Sequence, residues 1–234
     1  MARTILSATE VKKMAFELGA DLCGIAPVDR FKEAPKGFHP RDVWPESQSV
    51  AVLACRFLKS TITASSSIPY TDVRNALTRK MDQLAIDLSY RLEDQSVAAL
   101  PINSIGPTEW DVRTGRTRGI ISLKHAAELA GLGRIGRNTL LVNRRFGNMI
   151  WLSAVLLGVE LEGDPIDEKE ICPTGCRACI RICPVGALDS GLSMNQKACW
   201  EHAFGSPSQG GEWRIKCFAC RSVCPHALGH CVSD

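Results

Sequence analysis

Apolar residues in the first 160 positions follow two alternating rhythms, and the alternation predicts a layered fold. Ser7-x-x-Glu10 has the form of a capping box, and Val11, Met14, Ala15 and Leu18 follow at helical spacing until Gly19 stops them. The runs "DLCGIAPV" and "SVAVLACRFL" are short and continuously apolar, which predicts buried strands. Val73, Ala76, Leu77, Met81, Leu84, Leu88 and Leu92 then form the stripe of a long helix. "SVAALPINSI" predicts another strand, "LKHAAELAG" a short helix, and "NTLLVN" and "MIWLSAVLLGV" further apolar elements. The Ser/Thr-rich "STITASSSIPY" reads as a loop, solvated or closing over a site. Strands interleaved with helices predict α/β or α+β layers rather than a helical bundle.

Composition changes this picture in one respect. The chain has 234 residues with 45% hydrophobic and 23% charged, an ordinary globular balance. Its net charge of +3 is too small to argue for nucleic acid. The run from Met149 to Val159 is too short to span a bilayer, and the N-terminus has no apolar signal region, so a cytoplasmic protein with no membrane contact is expected. The anomaly is 11 cysteines. Only Cys23 and Cys55 precede residue 170, and both sit in apolar runs as small core residues. This density divides the chain into an α/β domain over 1–165 and a cysteine-rich domain over 166–234, joined by the acidic "EGDPIDEKE".

The cysteine-rich part repeats itself. Cys176-x2-Cys179-x3-Cys183-Pro184 recurs as Cys217-x2-Cys220-x3-Cys224-Pro225, the spacing of bacterial cluster-binding runs. In two-cluster ferredoxins the last cysteine of each run ligates the other cluster. Applied here, one [4Fe–4S] cluster takes Cys172, Cys176, Cys179 and Cys224, and the other takes Cys183, Cys199, Cys217 and Cys220. Pro173 stands where the usual first cysteine would be, so Cys172 serves through a loop one residue longer, helped by Gly175. Arg214 stands in the corresponding place of the second run, and Cys199 is the available replacement. The alternative is a pair of structural zinc sites, although zinc modules usually pair one C-x-x-C with another. Cys231, after His226 and His230, reads as part of a frayed end or a further metal ligand.

"GLGRIG" gives Gly131, Gly133 and Gly136 the spacing of a dinucleotide site, but a helix precedes and a strand-like run follows, the reverse of what that site needs. The remaining readings are a helix stop with a tight turn, or a close backbone approach to a flat cofactor. Arg113, Arg116, Arg118, Arg134, Arg137, Arg144 and Arg145 flank this turn and form either a solvated face or a grip for acidic substituents.

"ELGADLCGIAPVDRF", "GFHPRDVWPESQSVAVLACR", "KHAAELAGLGRIGRNTLLVNRRFG" and the paired cysteine runs together resemble the epoxyqueuosine reductase family, which is related to the reductive dehalogenases. The resemblance implies a cobalamin-binding α/β domain followed by a ferredoxin-like domain with two [4Fe–4S] clusters, electrons passing from clusters to cobalt. It implies that the segment Gly131, Leu132, Gly133, Arg134, Ile135, Gly136, Arg137 and Asn138 lines the corrinoid. His202, three residues after Cys199, would face the cofactor or else be a surface histidine. The chain departs from the family twice. Thr117 stands where epoxyqueuosine-reducing members carry an aspartate proton donor, and the ten residues after Cys224 lead to the expectation of no tRNA-gripping extension.

The expected function is therefore an iron–sulfur oxidoreductase carrying low-potential electrons from a donor protein to a corrinoid, its own or that of a partner corrinoid protein. The alternatives are a reductase of an epoxide-like nucleoside or small substrate, and a ferredoxin-type carrier without corrinoid.

Overall fold

A computed structural model describes residues 6–112, 116–189, 193–204 and 213–229. In chain order the elements are α1 (Ala8–Glu17), β1 (Leu22–Pro27), α2 (Pro40–Val43), β2 (Ser49–Arg56), α3 (Ile68–Glu93), β3 (Ala99–Ile102), β4 (Glu109–Asp111), β5 (Arg116–Arg118), α4 (Leu123–Leu129), β6 (Arg134–Ile135), β7 (Leu141–Val142), β8 (Ile150–Leu157), α5 (Ala178–Ile182), α6 (Gln196–Phe204) and α7 (Ala219–Ser222). The capping box at α1 is formed: Glu10 N–H donates to Ser7 Oγ at 3.2 Å, and Ser7 N–H donates back to the Glu10 carboxylate at 2.8 Å. The long helix starts five residues before the stripe at Val73, so the end of the Ser/Thr-rich segment is its first turn.

The central sheet has the order β1-β2-β8-β3, and every ladder in it is antiparallel. Alternating strands and helices were compatible with a parallel sheet; the observed pairing makes the fold α+β. Both faces are covered, which is why β2 and β8 read as continuous apolar runs. Ala51, Leu53 and Cys55 of β2, with Val155 and Leu157 of β8, pack against Val11 and Met14 of α1 and Met81, Leu84 and Leu88 of α3. The alternate residues Val50, Val52 and Ala54, with Ala154 and Leu156, pack against Ala126 and Ala127 of α4. The edge strand β3 is short: its four residues pair with Leu157 back to Ala154. Among the described residues, the stretch Ile150–Ser153 of β8 therefore pairs with β2 on one side and has no strand on the other.

The cysteine-rich segment shares the core of the layers before it. Ile215 lies in the α1–α3 core, its N–H donating to Thr71 Oγ1 at 3.1 Å. Tyr70 stacks on Phe218 at 4.2 Å and on Phe57 at 5.2 Å. The acidic connection is pinned at its start. The Asp164 carboxylate accepts from Lys12 Nζ at 2.6 Å and from Ile25 N–H at 2.9 Å, while Arg30 donates to the Asp164 carbonyl at 2.6 Å.

Candidate metal centres and the adjoining cleft

Cys172, Cys176, Cys179 and Cys224 line one cavity together with Gly136, Arg137 and Asn138. Local structure aims them there. Cys176 N–H closes a turn onto Pro173 O at 2.9 Å, Gly175 turns with φ of 71°, and α5 then starts and carries Cys179. Cys224 arrives from the end of α7, which packs against α5. Arg137 N–H points at Cys172 Sγ at 3.3 Å, and its guanidinium donates to the carbonyls of Pro173 at 3.3 Å and Cys176 at 2.9 Å. A Cβ at Gly136 would stand 3.5 Å from Cys172 Sγ, so the absence of a side chain keeps this wall of the cavity open.

The other four cysteines form a second neighbourhood. The Cys199 thiol is raised by burial and then by Cys183 and Cys217 beside it. Burial pushes Cys220 up to about 11; Arg221 opposes that rise, and Cys199, Cys217 and Cys179 add to it. Cys179 on α5 and Cys220 on α7 belong to helices that pack together, so the two groups are adjacent. Ala187 N–H points at Cys183 Sγ at 3.2 Å, and Asn138 donates to Cys220 O at 3.4 Å. In the first group burial likewise raises Cys179 and Cys224, with neighbouring thiols adding to it. Such thiols hold their protons at neutral pH until a cation arrives, so metal loading releases protons. Among the described residues no three His, Cys, Asp or Glu side chains converge as they would on a single ion.

Beside the second group lies a cleft of about 600 Å³. Ile150, Trp151 and Leu152, the part of β8 that β3 leaves uncovered, form one wall; Thr117 and the segment Gly119–Lys124 form another. Cys199, Trp200 and Phe204 of α6 close one end. Its volume lies in the usual range for small-molecule sites, and its lining is largely apolar. The charged residues lining it are Arg74, Lys124 and Arg221; no described lining residue is Asp, Glu or His. Arg74 lies over the rings of Trp151 and Trp213 at 5.6 and 5.3 Å. Arg74 Nε, Trp151 Nε1 and Asn148 Oδ1 are buried in these walls without hydrogen-bond partners.

The glycine-rich turn lies away from this cleft. A Cβ at Gly131 would stand 2.3 Å from Pro165 O, and one at Gly133 the same distance from Val142 O. Leu132 packs in the α4 core, Arg134 pairs with Glu128 at 3.4 Å, and Ile135 lies against that core. Gly136, Arg137 and Asn138 face the first cysteine cavity. His202 is exposed on α6, while its neighbours Trp200 and Phe204 line the cleft. The arginines do not form one grip: Arg144 pairs with Asp167 at 2.7 Å, Arg145 covers Phe146, and Arg118 covers Phe38. Arg113, His230, Cys231 and the side chain of Arg116 lie outside the description. Cys23 and Cys55 are buried core residues. Lys124 and Arg221 escaped sequence reasoning because one sits in an ordinary helical pattern and the other inside a cysteine run; a charge in that run was the available signal.

No family model matches the chain. An epoxyqueuosine reductase from Leadbetterella byssophila is 26% identical over 92% of this chain and 78% of its own length. One from Bacillus anthracis is 27% identical over 91% of this chain and 62% of its own. Among solved structures, epoxyqueuosine reductase from Streptococcus thermophilus superposes with a TM-score of 0.66 at 17% identity, over 94% of this chain and 65% of that one. A catabolic reductive dehalogenase in complex with 3-bromo-4-hydroxybenzoic acid gives 0.64 at 17% identity, over 83% of this chain and 28% of that one. The structural likenesses show the shared fold, and the sequence likeness over most of this chain is to epoxyqueuosine reductases. The chain spans 65% of the solved reductase and 28% of the dehalogenase. Among the described residues no helix is long and apolar enough to cross a membrane.

Proposed function

We propose that this epoxyqueuosine reductase-like chain is an iron–sulfur oxidoreductase that passes low-potential electrons through two [4Fe–4S] clusters to a corrinoid in the cleft. The observation that carries the reading is Cys199, which belongs to the second cysteine group and also lines the cleft. A cluster ligand exposed to a small-molecule site is a short exit for an electron.

The donor set fits the clusters. Eight thiols fall into two neighbouring groups, each with at least one backbone N–H aimed at a sulfur, the contact that stabilises an anionic cluster. Cys172, Cys176, Cys179 and Cys224 would hold one cluster, and Cys183, Cys199, Cys217 and Cys220 the other. The broad, mostly apolar cleft fits a large flat macrocycle, whose rim Trp200 and the Gly119–Lys124 wall would meet. The clusters supply one-electron steps, and the corrinoid supplies a cobalt centre that becomes strongly nucleophilic when fully reduced. A structure of a related dehalogenase is described as suggesting a mechanism for B12-dependent dehalogenation. The chain's own work is orientation and electron delivery: Arg137 ties the Cys172 loop to the glycine-rich turn, and Asn138 ties that turn to the Cys220 backbone. An epoxyqueuosine reductase from Bacillus subtilis is described with a catalytic aspartate loop. Thr117 lines this cleft instead, and no described lining carboxylate offers a proton.

The test is an anaerobic absorption titration of iron-reconstituted protein with cob(II)alamin. Saturable binding with a shifted corrinoid spectrum is expected. An unchanged spectrum with intact cluster absorbance overturns the corrinoid half of the proposal. The sequence likeness to epoxyqueuosine reductases favours a second reading, reduction of an epoxide-bearing nucleoside in the same cleft. Product analysis after incubation with epoxyqueuosine and reductant separates the two.

A further inference from the structure

Lys124 and Arg221 are cations without carboxylates. Lys124 stands in the first turn of α4 and lines the cleft; its ammonium donates to Thr139 O at 2.5 Å. Arg221 follows Cys220 on α7 and is 7% exposed. It donates to Asn148 O, its guanidinium lies 5.5 Å over the Phe57 ring, and its own carbonyl accepts from Asn148 Nδ2 at 3.2 Å. Elsewhere the chain pairs several cations with carboxylates: Lys12 with Asp164, Arg134 with Glu128, Arg144 with Asp167. Among the described residues neither Lys124 nor Arg221 has an acidic partner. Both line the cleft, and Arg221 follows Cys220 directly in the chain. Two cations on one cleft, one of them buried and the other half-buried, are costly unless an anion shares the site. Cys199 lines the same cleft and Cys220 adjoins Arg221, so the missing anion belongs to the second cysteine group.

We infer that Lys124 and Arg221 are the counter-charges of the second cluster and hold its reduction potential up, selectively over the first. A four-iron core with four thiolates is a net anion, and reduction adds one electron and no proton, so nearby positive charge favours the reduced form. This inference rests on the cluster reading above and deepens it: the centre that faces the cleft is the one the chain equips with two cations.

The test is a redox titration of the reconstituted protein with dithionite, followed by electron paramagnetic resonance, with iron and sulfide content checked for each variant. In Lys124→Gln one reduction wave should move to lower potential by about 59 mV, a tenfold change in the one-electron equilibrium. The other wave should stay in place and should be the one altered by Cys172→Ser. Lys124→Arg should keep both waves. Arg221→Gln should move the same wave as Lys124→Gln, while Arg221→Lys should not; this pair decides the matter if Lys124→Gln loses iron. Two unmoved waves, a joint shift of both, or movement of the Cys172-sensitive wave overturns the inference. Absence of cluster signals from the wild-type protein overturns the cluster reading itself and removes the inference with it.

Discussion

Replacing Gly131 by alanine tests whether the glycine-rich turn is structural. At φ of 72° the residue lies in the left-handed region, where a Cβ costs about 1–2 kcal/mol. The new methyl would also stand 2.3 Å from Pro165 O, so the backbone must give by roughly 1 Å to reach an ordinary contact. That backbone cannot give freely, because the preceding Asp164 is held by Lys12, Ile25 and Arg30. Overpacking of this kind adds about 1–3 kcal/mol, for a total of about 2–5 kcal/mol. In a chain of this size each kcal/mol lowers Tm by about 2–4 °C, so Gly131→Ala should melt at least about 4 °C below wild type, followed by circular dichroism. In an Asp164→Ala background the bonds to Lys12 and Ile25 N–H are lost while Arg30 still holds the carbonyl, and the same substitution should cost less. A Tm within about 1 °C of wild type would refute the reasoning. A cofactor-lining glycine, in contrast, would lose corrinoid affinity with its stability unchanged.

Cys199→Ala should halve the bound iron after reconstitution and leave the Cys172 group loaded, as read by iron assay. Burial raises Cys23 to about 12, so it stays protonated at any pH well below that value. Iodoacetamide at pH about 8 should therefore spare Cys23 in iron-free folded protein, and also Cys220, which burial pushes up to about 11, as mass spectrometry will show. Trp151→Phe deletes an unpartnered buried N–H and keeps an aromatic ring against Phe57; it should be neutral or stabilising by up to about 1–3 kcal/mol in a thermal melt. Asp164→Ala strips the carboxylate acceptor from the buried Ile25 N–H and should destabilise by about 2–3 kcal/mol in the same assay.

Much of the layered architecture was legible because its signals are local. The capping box of α1 and the stripe of α3 depend on residues a turn or two apart, and the runs of β1, β2 and β8 on uninterrupted apolar character. The acidic connection was legible as a boundary in composition but not as a pinned segment. Asp164 bonds to Lys12 across the fold, and nothing near it in sequence marks that. The same holds for the glycine-rich turn. Its spacing left open a helix stop with a tight turn or a close approach to a flat cofactor, and only the fold shows that a Cβ at Gly131 or Gly133 would meet the carbonyls of Pro165 and Val142, while Gly136 opens a wall beside Cys172.

By itself, then, the sequence determined the elements, the double cysteine run and the resemblance these carry, because each is set by spacing along one stretch of chain. The tertiary structure decided the rest. It made the sheet antiparallel, ended β3 at Ile102 and so opened Ile150–Leu152 to a cleft. It brought Cys224 to the cavity of Cys172, set Cys199 at the cleft's end, and placed Lys124 and Arg221 on that cleft with no acidic partner among the described residues. Those facts depend on which distant residues meet, and burial turns such meetings into strong electrostatic effects that no local pattern encodes.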